Sequence, residues 1–199
     1  MNQKVINKNG KNLVLEATRN LLVGNRIPMD YFITKGKGES DITVHAGSYH
    51  LALKEAGIEK FNIMTYSSIM PAVAREVEQP EPIVHGSVVE TIMAVANSEK
   101  GQRATAGIIY GWLFDKSTGE KYGGLVCEHN GNYEEEEIKL LLNQSLNELY
   151  TNGFSDDYDL KDIKVTTESF IPRKKFGTAL VAICFTNYLY PVISTVRRK

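Results

Sequence analysis

The strongest constraint on the fold is a pair of β-type segments separated by a short polar turn. Residues 103–115 and 122–129 are rich in β-branched and aromatic residues, and residues 116–120 between them (Lys-Ser-Thr-Gly-Glu) have turn composition. Two such segments joined by a glycine-containing turn are typical of a β-hairpin. The sequence therefore predicts antiparallel strand pairing in the middle of the chain.

Further elements are predicted from apolar spacing and from the positions of glycine and proline. The sequence predicts strands over residues 28–34, 61–64, 87–97, 163–170 and 177–189, a glycine-punctuated loop over 35–40, and helices over 12–23 and 48–56. A third helix is predicted with the acidic run 134–137 as its first turn, Asn132 as its N-cap and residues 152–153 as its end. Strands in hairpins with two or three helices predict an α+β fold, with antiparallel or mixed sheets covered by helices.

The overall composition excludes several classes of protein. The chain has 199 residues, of which 42% are hydrophobic, which is enough for one domain with a sizeable core. The formal net charge of −1 offers no basic face, so nucleic acid is not an expected partner. Residues 1–11 lack the apolar core of a signal peptide, and no apolar stretch of about 18 residues predicts a membrane span. We therefore expect a cytoplasmic protein in which Cys127 and Cys184 are reduced.

Common catalytic and binding motifs are incomplete in this sequence. The glycine-rich residues 35–40 (Lys-Gly-Lys-Gly-Glu-Ser) match neither the P-loop pattern nor the dinucleotide-binding pattern. No Gly-x-Ser-x-Gly elbow is present, which disfavours a serine hydrolase of that type. No metal site is expected, because none of the four histidines is paired at metal-binding spacing on a helix; they are His45, His50, His85 and His129.

An adjacent serine pair, Ser67–Ser68, is the main candidate for chemistry. It lies within residues 62–71 (Asn-Ile-Met-Thr-Tyr-Ser-Ser-Ile-Met-Pro), after a short apolar run. This context places the Ser68 hydroxyl against its own preceding peptide bond, at a turn beside an apolar surface. Such pairs usually mark an ordinary turn. The alternative is a site at which the chain cuts itself and makes a cofactor from its own backbone.

Glu128 is the second candidate, at the end of a strand of small and apolar residues (123–127, Gly-Gly-Leu-Val-Cys). A carboxylate in this position is often a solvated strand end, and spacing alone favours that interpretation. If the side chain faces a pocket instead, it is suited to donate a proton.

Taken in order along the chain, these elements resemble the pyruvoyl-dependent arginine decarboxylases. The resemblance extends from about residue 28 to about residue 185, and residues 1–25 form an N-terminal extension to a single domain of residues 26–199. The serine pair after an asparagine, with a later Gly-Gly-x-x-x-Glu, is its most specific part. The segments that carry it are Gly38-Glu-Ser-Asp41, Ala52-Leu-Lys-Glu-Ala-Gly-Ile58, residues 62–71, His85-Gly86, Ala104-Thr-Ala-Gly-Ile108, Gly123-Gly-Leu-Val-Cys-Glu128 and Lys175-Phe-Gly177.

The resemblance implies a zymogen that cleaves itself between Ser67 and Ser68 into residues 1–67 (β chain) and 68–199 (α chain). The Ser68 hydroxyl attacks the Ser67 carbonyl, and elimination and hydrolysis leave a covalently bound pyruvoyl group at residue 68. Asn62 matches the asparagine that takes part in processing. The pyruvoyl group forms a Schiff base with the amino-acid substrate and accepts electrons as carbon dioxide leaves, and Glu128 matches the proton donor.

The resemblance also implies the reaction, which is conversion of L-arginine to agmatine, as in polyamine synthesis or acid resistance. Substrate contacts are expected from Glu39, Asp41, His50 and Leu53. An acidic residue is expected at the position of His50, and a histidine does not form the bidentate pair that a carboxylate makes with a guanidinium. Nearby acids, Glu39, Asp41 or Glu55, can replace it, or the substrate is a different amino acid.

The family's fold is a layered α/β/β/α sandwich, and the resemblance implies a homotrimer with active sites between neighbouring subunits. Two other functions stay open from the sequence. One is a non-catalytic homologue that binds a small amine or serves as an assembly subunit. The other is an ordinary hydrolase that uses Ser68 without cleavage.

Overall fold

The computed structural model describes residues 5–6, 12–13, 20–80 and 84–196. A π-helical segment (Val44–Tyr49) directly precedes α1. The strands and helices are β1 (Val5–Ile6), β2 (Asn12–Leu13), β3 (Asn20–Val23), β4 (Ile27–Pro28), β5 (Asp30–Ser40), α1 (His50–Glu55), β6 (Asn62–Thr65), β7 (Ile69–Pro71), β8 (Arg75–Glu76), β9 (Val88–Glu99), β10 (Ala104–Asp115), β11 (Lys121–Gly131), α2 (Glu135–Gly153), β12 (Tyr158–Phe170), β13 (Phe176–Phe185), β14 (Tyr188–Leu189) and β15 (Val192–Val196).

The residues form two units by their internal contacts, Pro28–Tyr188 and a smaller unit of Met1–Ile27 with Leu189–Lys199. In the smaller unit β1 pairs with β2 and β3 pairs with β15, both antiparallel. The helix predicted over residues 12–23 is therefore wrong at 12–13 and 20–23, because strand pairing overrides a weak helical pattern. Residues 14–19 lie outside the described residues.

The larger unit contains two sheets. The first sheet has the order β6-β9-β13-β5-β8, in which β13 is antiparallel to β5 and β9 and the two edge strands β6 and β8 are parallel to their neighbours. The second sheet has the order β12-β10-β11-β7 and is antiparallel throughout. The predicted hairpin is confirmed as β10–β11 at the centre of the second sheet, and the α+β class with mixed and antiparallel sheets is confirmed.

Three clusters of buried side chains show what covers each sheet. One cluster joins the sheets, with Ile92 of the first sheet and Ile108 of the second among its members. On the other face of the first sheet, Leu53 of α1 packs in a cluster with Leu180. On the other face of the second sheet, Leu142 of α2 belongs to the third cluster. Each sheet therefore has one face toward the other sheet and one face toward a helix.

Two glycines of β5 bring the first helical region close to the first sheet. A Cβ atom at Gly36 would lie 2.3 Å from the Ala52 carbonyl oxygen, and one at Gly38 would lie 2.3 Å from the Ser48 carbonyl oxygen. The loop predicted over residues 35–40 is therefore wrong. These glycines lie inside a strand because the helix backbone leaves no room for side chains there.

The two helices otherwise follow the sequence pattern. The predicted helix over residues 48–56 is found as the π-helical segment and α1, and it ends before Gly57, whose φ of 72° continues no helix. The N-cap of α2 is Glu134 instead of Asn132, with acidic residues throughout the first turn. Among the described residues, no helix combines the length and the apolar character that a bilayer crossing requires.

Between β6 and β8 the chain passes from one sheet to the other and back. Residues 66–68, the first crossing, connect β6 of the first sheet to β7 of the second. Residues 72–74, the second crossing, return the chain to β8 of the first sheet. The serine pair therefore lies at the edge of the space between the sheets.

Candidate active site

Strand β7 brings the serine pair to β11. Its register pairs Met70 with Gly124 and Ile69 with Leu125, and the next contact along the chain is a hydrogen bond from the Val126 N–H to the Ser68 carbonyl oxygen, 3.1 Å. Gly124 makes this approach possible, since a Cβ atom there would lie 3.1 Å from both the Met70 Cβ and the Trp112 ring. The absence of a side chain at Gly124, in the small-residue segment before Glu128, thus allows β7 to pack closely against β11.

The Ser68 hydroxyl meets the Glu128 carboxylate at this edge. Ser68 Oγ lies 2.7 Å from both carboxylate oxygens and donates its hydrogen bond to them. Both residues are half-buried. A carboxylate within hydrogen-bonding distance of a hydroxyl is placed to take its proton and so to activate it as a nucleophile. The solvated strand end that spacing favoured for Glu128 is thus not what the structure shows.

The peptide bond before Ser68 has its own donor. The Ile69 N–H donates to the Ser67 carbonyl oxygen at 2.7 Å, which closes a tight turn around Ser68. A backbone N–H directed at a carbonyl oxygen stabilises the negative charge that develops there during nucleophilic attack. The same three residues therefore hold a hydroxyl, the carbonyl that precedes it and a donor to that carbonyl.

Cys127 lies beside Glu128 without competing with Ser68. Burial, and to a smaller extent the neighbouring Glu128 charge, raises the pKa of the Cys127 thiol to about 11. A thiol with this pKa is protonated at neutral pH and is a poor nucleophile. Both cysteines are free thiols in the structure. Of these two side chains, the Ser68 hydroxyl is the one that is hydrogen-bonded to the Glu128 carboxylate.

Asn62 lies at the start of β6 and is not in contact with the serine pair. Its side-chain amide donates to the Gly86 carbonyl oxygen at 2.8 Å, and its backbone N–H donates to the Ser87 carbonyl oxygen at 2.8 Å. These bonds fix the start of β6 against the segment before β9. The structure does not bring Asn62 together with Ser68 and Glu128.

His50 and Leu53 lie on α1, on the outer face of the first sheet. Leu53 is buried in the cluster beneath the helix, whereas His50 is exposed. Ser68 lies at the other face of that sheet, because its neighbours Met70 and Val126 belong to the cluster between the sheets. Within the chain, the first sheet therefore separates α1 from the serine pair.

Glu39 and Asp41 hold the connection between β12 and β13. Glu39 Oε2 accepts hydrogen bonds from the N–H groups of Arg173 at 2.7 Å and Lys174 at 3.4 Å. Asp41 Oδ1 accepts one from the Lys175 N–H at 3.1 Å. Glu39 also lines a cleft of about 800 Å³ beside α1. The structure thus groups Glu39 with the α1 region and not with Ser68.

Two residues of the site were missed by the sequence reasoning. The Tyr66 hydroxyl donates to Glu90 Oε2, directly before the serine pair. Glu90 is 2% exposed and lies in β9. A single acid inside an apolar strand, here between Val89 and Thr91, is the signal that could have identified it.

Comparison with known proteins identifies the family of the chain. Residues 30–189 match the family described as pyruvoyl-dependent arginine decarboxylase. The chain belongs to this family. It is 31% identical over 192 residues to the pyruvoyl-dependent arginine decarboxylase AaxB of Chlamydia muridarum (strain MoPn / Nigg), which covers 83% of this chain and 94% of the relative.

Other relatives carry the same description. The AaxB protein of Chlamydia trachomatis serovar L2 is 32% identical over 192 residues, again 83% of this chain and 94% of the relative. A pyruvoyl-dependent arginine decarboxylase of Methanococcoides burtonii is 37% identical over 89 residues, 42% of this chain and 47% of the relative. The resemblance to the pyruvoyl-dependent arginine decarboxylases is therefore confirmed, and with it a carboxy-lyase whose cofactor is a covalently bound pyruvoyl group.

Proposed function

We propose that this chain cleaves itself between Ser67 and Ser68 and then decarboxylates L-arginine to agmatine and carbon dioxide. The observation that carries the proposal is the Ser68 hydroxyl, which directly follows the Ser67 carbonyl group in the chain and donates to the Glu128 carboxylate at 2.7 Å. Family membership supports the reaction and favours arginine over the other amino acids. An uncleaved hydrolase or a small-amine-binding protein has no comparable support.

Cleavage begins with proton transfer from Ser68 Oγ to Glu128. The oxygen then bonds to the Ser67 carbonyl carbon, the Ile69 N–H stabilises the resulting oxyanion, and the C–N bond breaks as the Ser68 nitrogen takes up a proton. The amide has become an ester. Loss of the Ser68 α-proton and of the ester oxygen gives a carboxylate at Ser67 and dehydroalanine at residue 68. Water then replaces the nitrogen, ammonia leaves, and a ketone remains.

The residues around position 68 fit the pyruvoyl group that this sequence of steps makes. That group supplies an electrophilic ketone and an electron sink for the charge left on Cα when carbon dioxide departs. The Val126 N–H, which donates to the Ser68 carbonyl oxygen, would hold the amide carbonyl next to the ketone. Glu128 would carry the proton that Cα receives. The same carboxylate therefore serves first as a base and later as an acid.

The substrate contacts point to more than one protomer. Glu39, His50 and Leu53 lie with the α1 region, and the first sheet separates α1 from Ser68 within one protomer. If these residues and Asp41 contact the substrate, they do so at the Ser68 of a neighbouring chain. This supports the homotrimer, with active sites between subunits, that the resemblance implies. His50, exposed at the start of α1, would then face the guanidinium together with nearby acids.

The proposal also covers the layered architecture of the chain, its domain bounds, the role of Asn62 and the location of the protein. The three buried clusters support a layered α/β/β/α sandwich, because they place α1 and α2 on the outer faces of two stacked sheets. Residues 1–25 are proposed as an extension to a decarboxylase domain of residues 26–199. Asn62 is proposed to act in processing by fixing the start of β6. The cytoplasmic location stays a prediction.

Denaturing electrophoresis with intact-mass measurement tests the cleavage. We expect the purified protein to separate into residues 1–67 and 68–199, with a pyruvoyl group at the start of the larger fragment, and Ser68→Ala to stay intact. A panel of arginine, lysine, ornithine, histidine, aspartate and glutamate tests the substrate through release of carbon dioxide. An intact chain that retains an unmodified Ser68 would rule out the decarboxylase. If the chain cleaves but releases no carbon dioxide from arginine, the self-cleavage would stand and arginine would be excluded as the substrate.

A further inference from the structure

The hydrogen bond between Tyr66 and Glu90 lies beside the serine pair and takes no part in the steps above. We propose that Tyr66 and Glu90 are positioning residues for self-cleavage, because their contact fixes residue 66, directly before the serine pair, to β9. The inference rests on the proposed function and adds two residues to it. The inference follows from the way the first crossing is held: residue 66 is bound to the first sheet and residue 68 to the second.

Tyr66 is attached to the first sheet by its backbone and by its side chain. Its N–H donates to the Thr91 carbonyl oxygen at 2.7 Å, one residue beyond the β6–β9 ladder, which ends at Thr65. Its hydroxyl donates to Glu90 Oε2. Its ring packs on Phe185, with the ring centroids 5.7 Å apart. Three contacts therefore locate this residue on one side of the scissile bond.

Ser68 is attached to the second sheet. Its carbonyl oxygen accepts the Val126 N–H at 3.1 Å, and its hydroxyl donates to Glu128 at 2.7 Å. Ser67 lies between these anchors and is exposed. A shift of Tyr66 therefore moves the Ser67 carbonyl carbon relative to the Ser68 hydroxyl. Nucleophilic attack depends steeply on that distance and direction, and a displacement of about 1 Å can lower a rate about 100-fold.

A hydrogen bond to a buried carboxyl group is an unusual way to attach the half-buried Tyr66 to a sheet. Glu90 is 2% exposed, and burial of a carboxyl group is costly unless hydrogen bonds compensate for it. Two apolar side chains of similar shape can be equally stable at such a position. Apolar side chains would not fix the orientation of the Tyr66 side chain or the position of the Tyr66 backbone relative to β9. The directional bond to Glu90 does both, which favours positioning over stability as its role.

The test compares cleavage rates after removal of single atoms. Tyr66→Phe removes the hydroxyl and retains the ring contact with Phe185. We expect this variant to cleave itself about 10- to 100-fold more slowly than the wild type. The full chain is refolded, and denaturing electrophoresis at successive times measures the cleavage. Glu90→Gln keeps an uncharged oxygen that can accept the Tyr66 hydrogen bond. Its cleavage rate should therefore lie between that of the wild type and that of Tyr66→Phe.

Tyr110→Phe is the matched control. Tyr110 is buried and pairs with Val126 across the β10–β11 hairpin. Its hydroxyl, the only atom that the variant removes, donates to Glu76 Oε2 at 3.1 Å and accepts a hydrogen bond from the Tyr31 hydroxyl at 3.3 Å, so these bonds are not made to the first crossing. Its removal should lower the unfolding temperature and leave the cleavage rate at the wild-type value. Equal slowing in Tyr110→Phe and Tyr66→Phe would show a general loss of stability and overturn the positioning role.

Hydroxylamine identifies the step that is slowed. It cleaves the ester between Ser67 and Ser68 as soon as that ester forms, so it reports ester formation separately from elimination. In Tyr66→Phe we expect hydroxylamine-dependent cleavage to fall by the same factor as spontaneous cleavage. Restoration of the wild-type rate by hydroxylamine would overturn the inference, as would an unchanged rate without it. A wild-type chain that never cleaves would instead overturn the proposed function itself.

Discussion

The two crossings between the sheets are alike in construction and different in chemistry. Each connects a short strand of one sheet to a short strand of the other, and each is fixed at both ends by hydrogen bonds. The first crossing holds Ser68 against Glu128. The second ends in a turn closed by the Ala74 N–H on the Pro71 carbonyl oxygen, 2.9 Å, and in an ion pair between Arg75 and Asp30.

The two crossings differ in the functional groups that they hold and not in the backbone turn itself. Both crossings bring a backbone N–H to a carbonyl oxygen of the same turn, through Ile69 in the first and Ala74 in the second. Only the first adds a hydroxyl next to that carbonyl and a carboxylate across the gap to accept its proton. Changes at Glu128 should therefore alter cleavage, whereas changes around Arg75 should alter stability.

The largest expected effect is that of Glu128→Gln. A glutamine does not accept the Ser68 proton, and general bases typically contribute about 10²- to 10⁴-fold to a rate. We expect cleavage and decarboxylation both to slow by about that factor, measured by electrophoresis and by carbon dioxide release. Glu76→Gln is the control, since Glu76 accepts bonds from Tyr110 and Lys164 near the second crossing. Equal slowing in both variants would contradict the difference between the crossings.

A smaller effect is expected from Gly124→Ala. The new Cβ would lie 3.1 Å from the Trp112 ring and from the Met70 Cβ, so β7 or the indole has to move by a few tenths of an ångström. This moves Ser68 relative to Glu128, and we expect cleavage to slow about 10-fold. The measurement is the time course of fragment appearance after refolding.

Gly153→Ala provides the control for that variant. A Cβ at Gly153 meets nothing within 4 Å, so cleavage should proceed at the wild-type rate. If Gly124→Ala also cleaves at the wild-type rate, the close approach of β7 to β11 does not set the geometry of the serine pair.

The smallest effect is expected at the second crossing, from Asp30→Asn. Hydrogen bonds from Arg75 and Asn187 hold the pKa of Asp30 below its ordinary value. The stabilisation is present above the unfolded-state pKa of about 3.9 and is lost as the pH falls through the lower folded-state pKa. The wild type should therefore lose more stability than Asp30→Asn as the pH falls below about 3.9, the ordinary pKa of an aspartate side chain.

Urea unfolding at several pH values measures this difference. The effect should be modest, because the Arg75 side chain is 68% exposed and the pair is screened by solvent. Cleavage at neutral pH should be unchanged. Parallel acid dependence of the two proteins would show that the ion pair does not stabilise the second crossing.

Local patterns in the sequence predicted the elements whose stability is local. The hairpin β10–β11 was predictable from its turn, and α2 from its acidic first turn and apolar spacing. The glycines of β5 were assigned to a loop because the helix backbone that requires them lies beyond the strand, at Ala52 and Ser48. Nothing next to Gly36 or Gly38 in sequence reveals that neighbour.

The candidate site was predictable only in part, for the same reason. Ser68 and Glu128 were identified through a family pattern, and their contact spans 60 residues of sequence. The crossing itself was not predicted, since β6 and β7 are short strands with little pattern of their own. Glu90 was missed because its partner Tyr66 is 24 residues away. Contacts between distant segments are the part of the site that composition and periodicity do not encode.

The strand order of the first sheet determines what the proposed cleavage would do to the molecule. Residues 1–67 contribute β5 and β6 to that sheet, and residues 68–199 contribute β8, β9 and β13. In the sheet β5 lies between β13 and β8, so strands from the two fragments alternate there and share their backbone hydrogen bonds. Cleavage at the proposed site would therefore leave two polypeptides that share one sheet, and separating them would require that sheet to unfold.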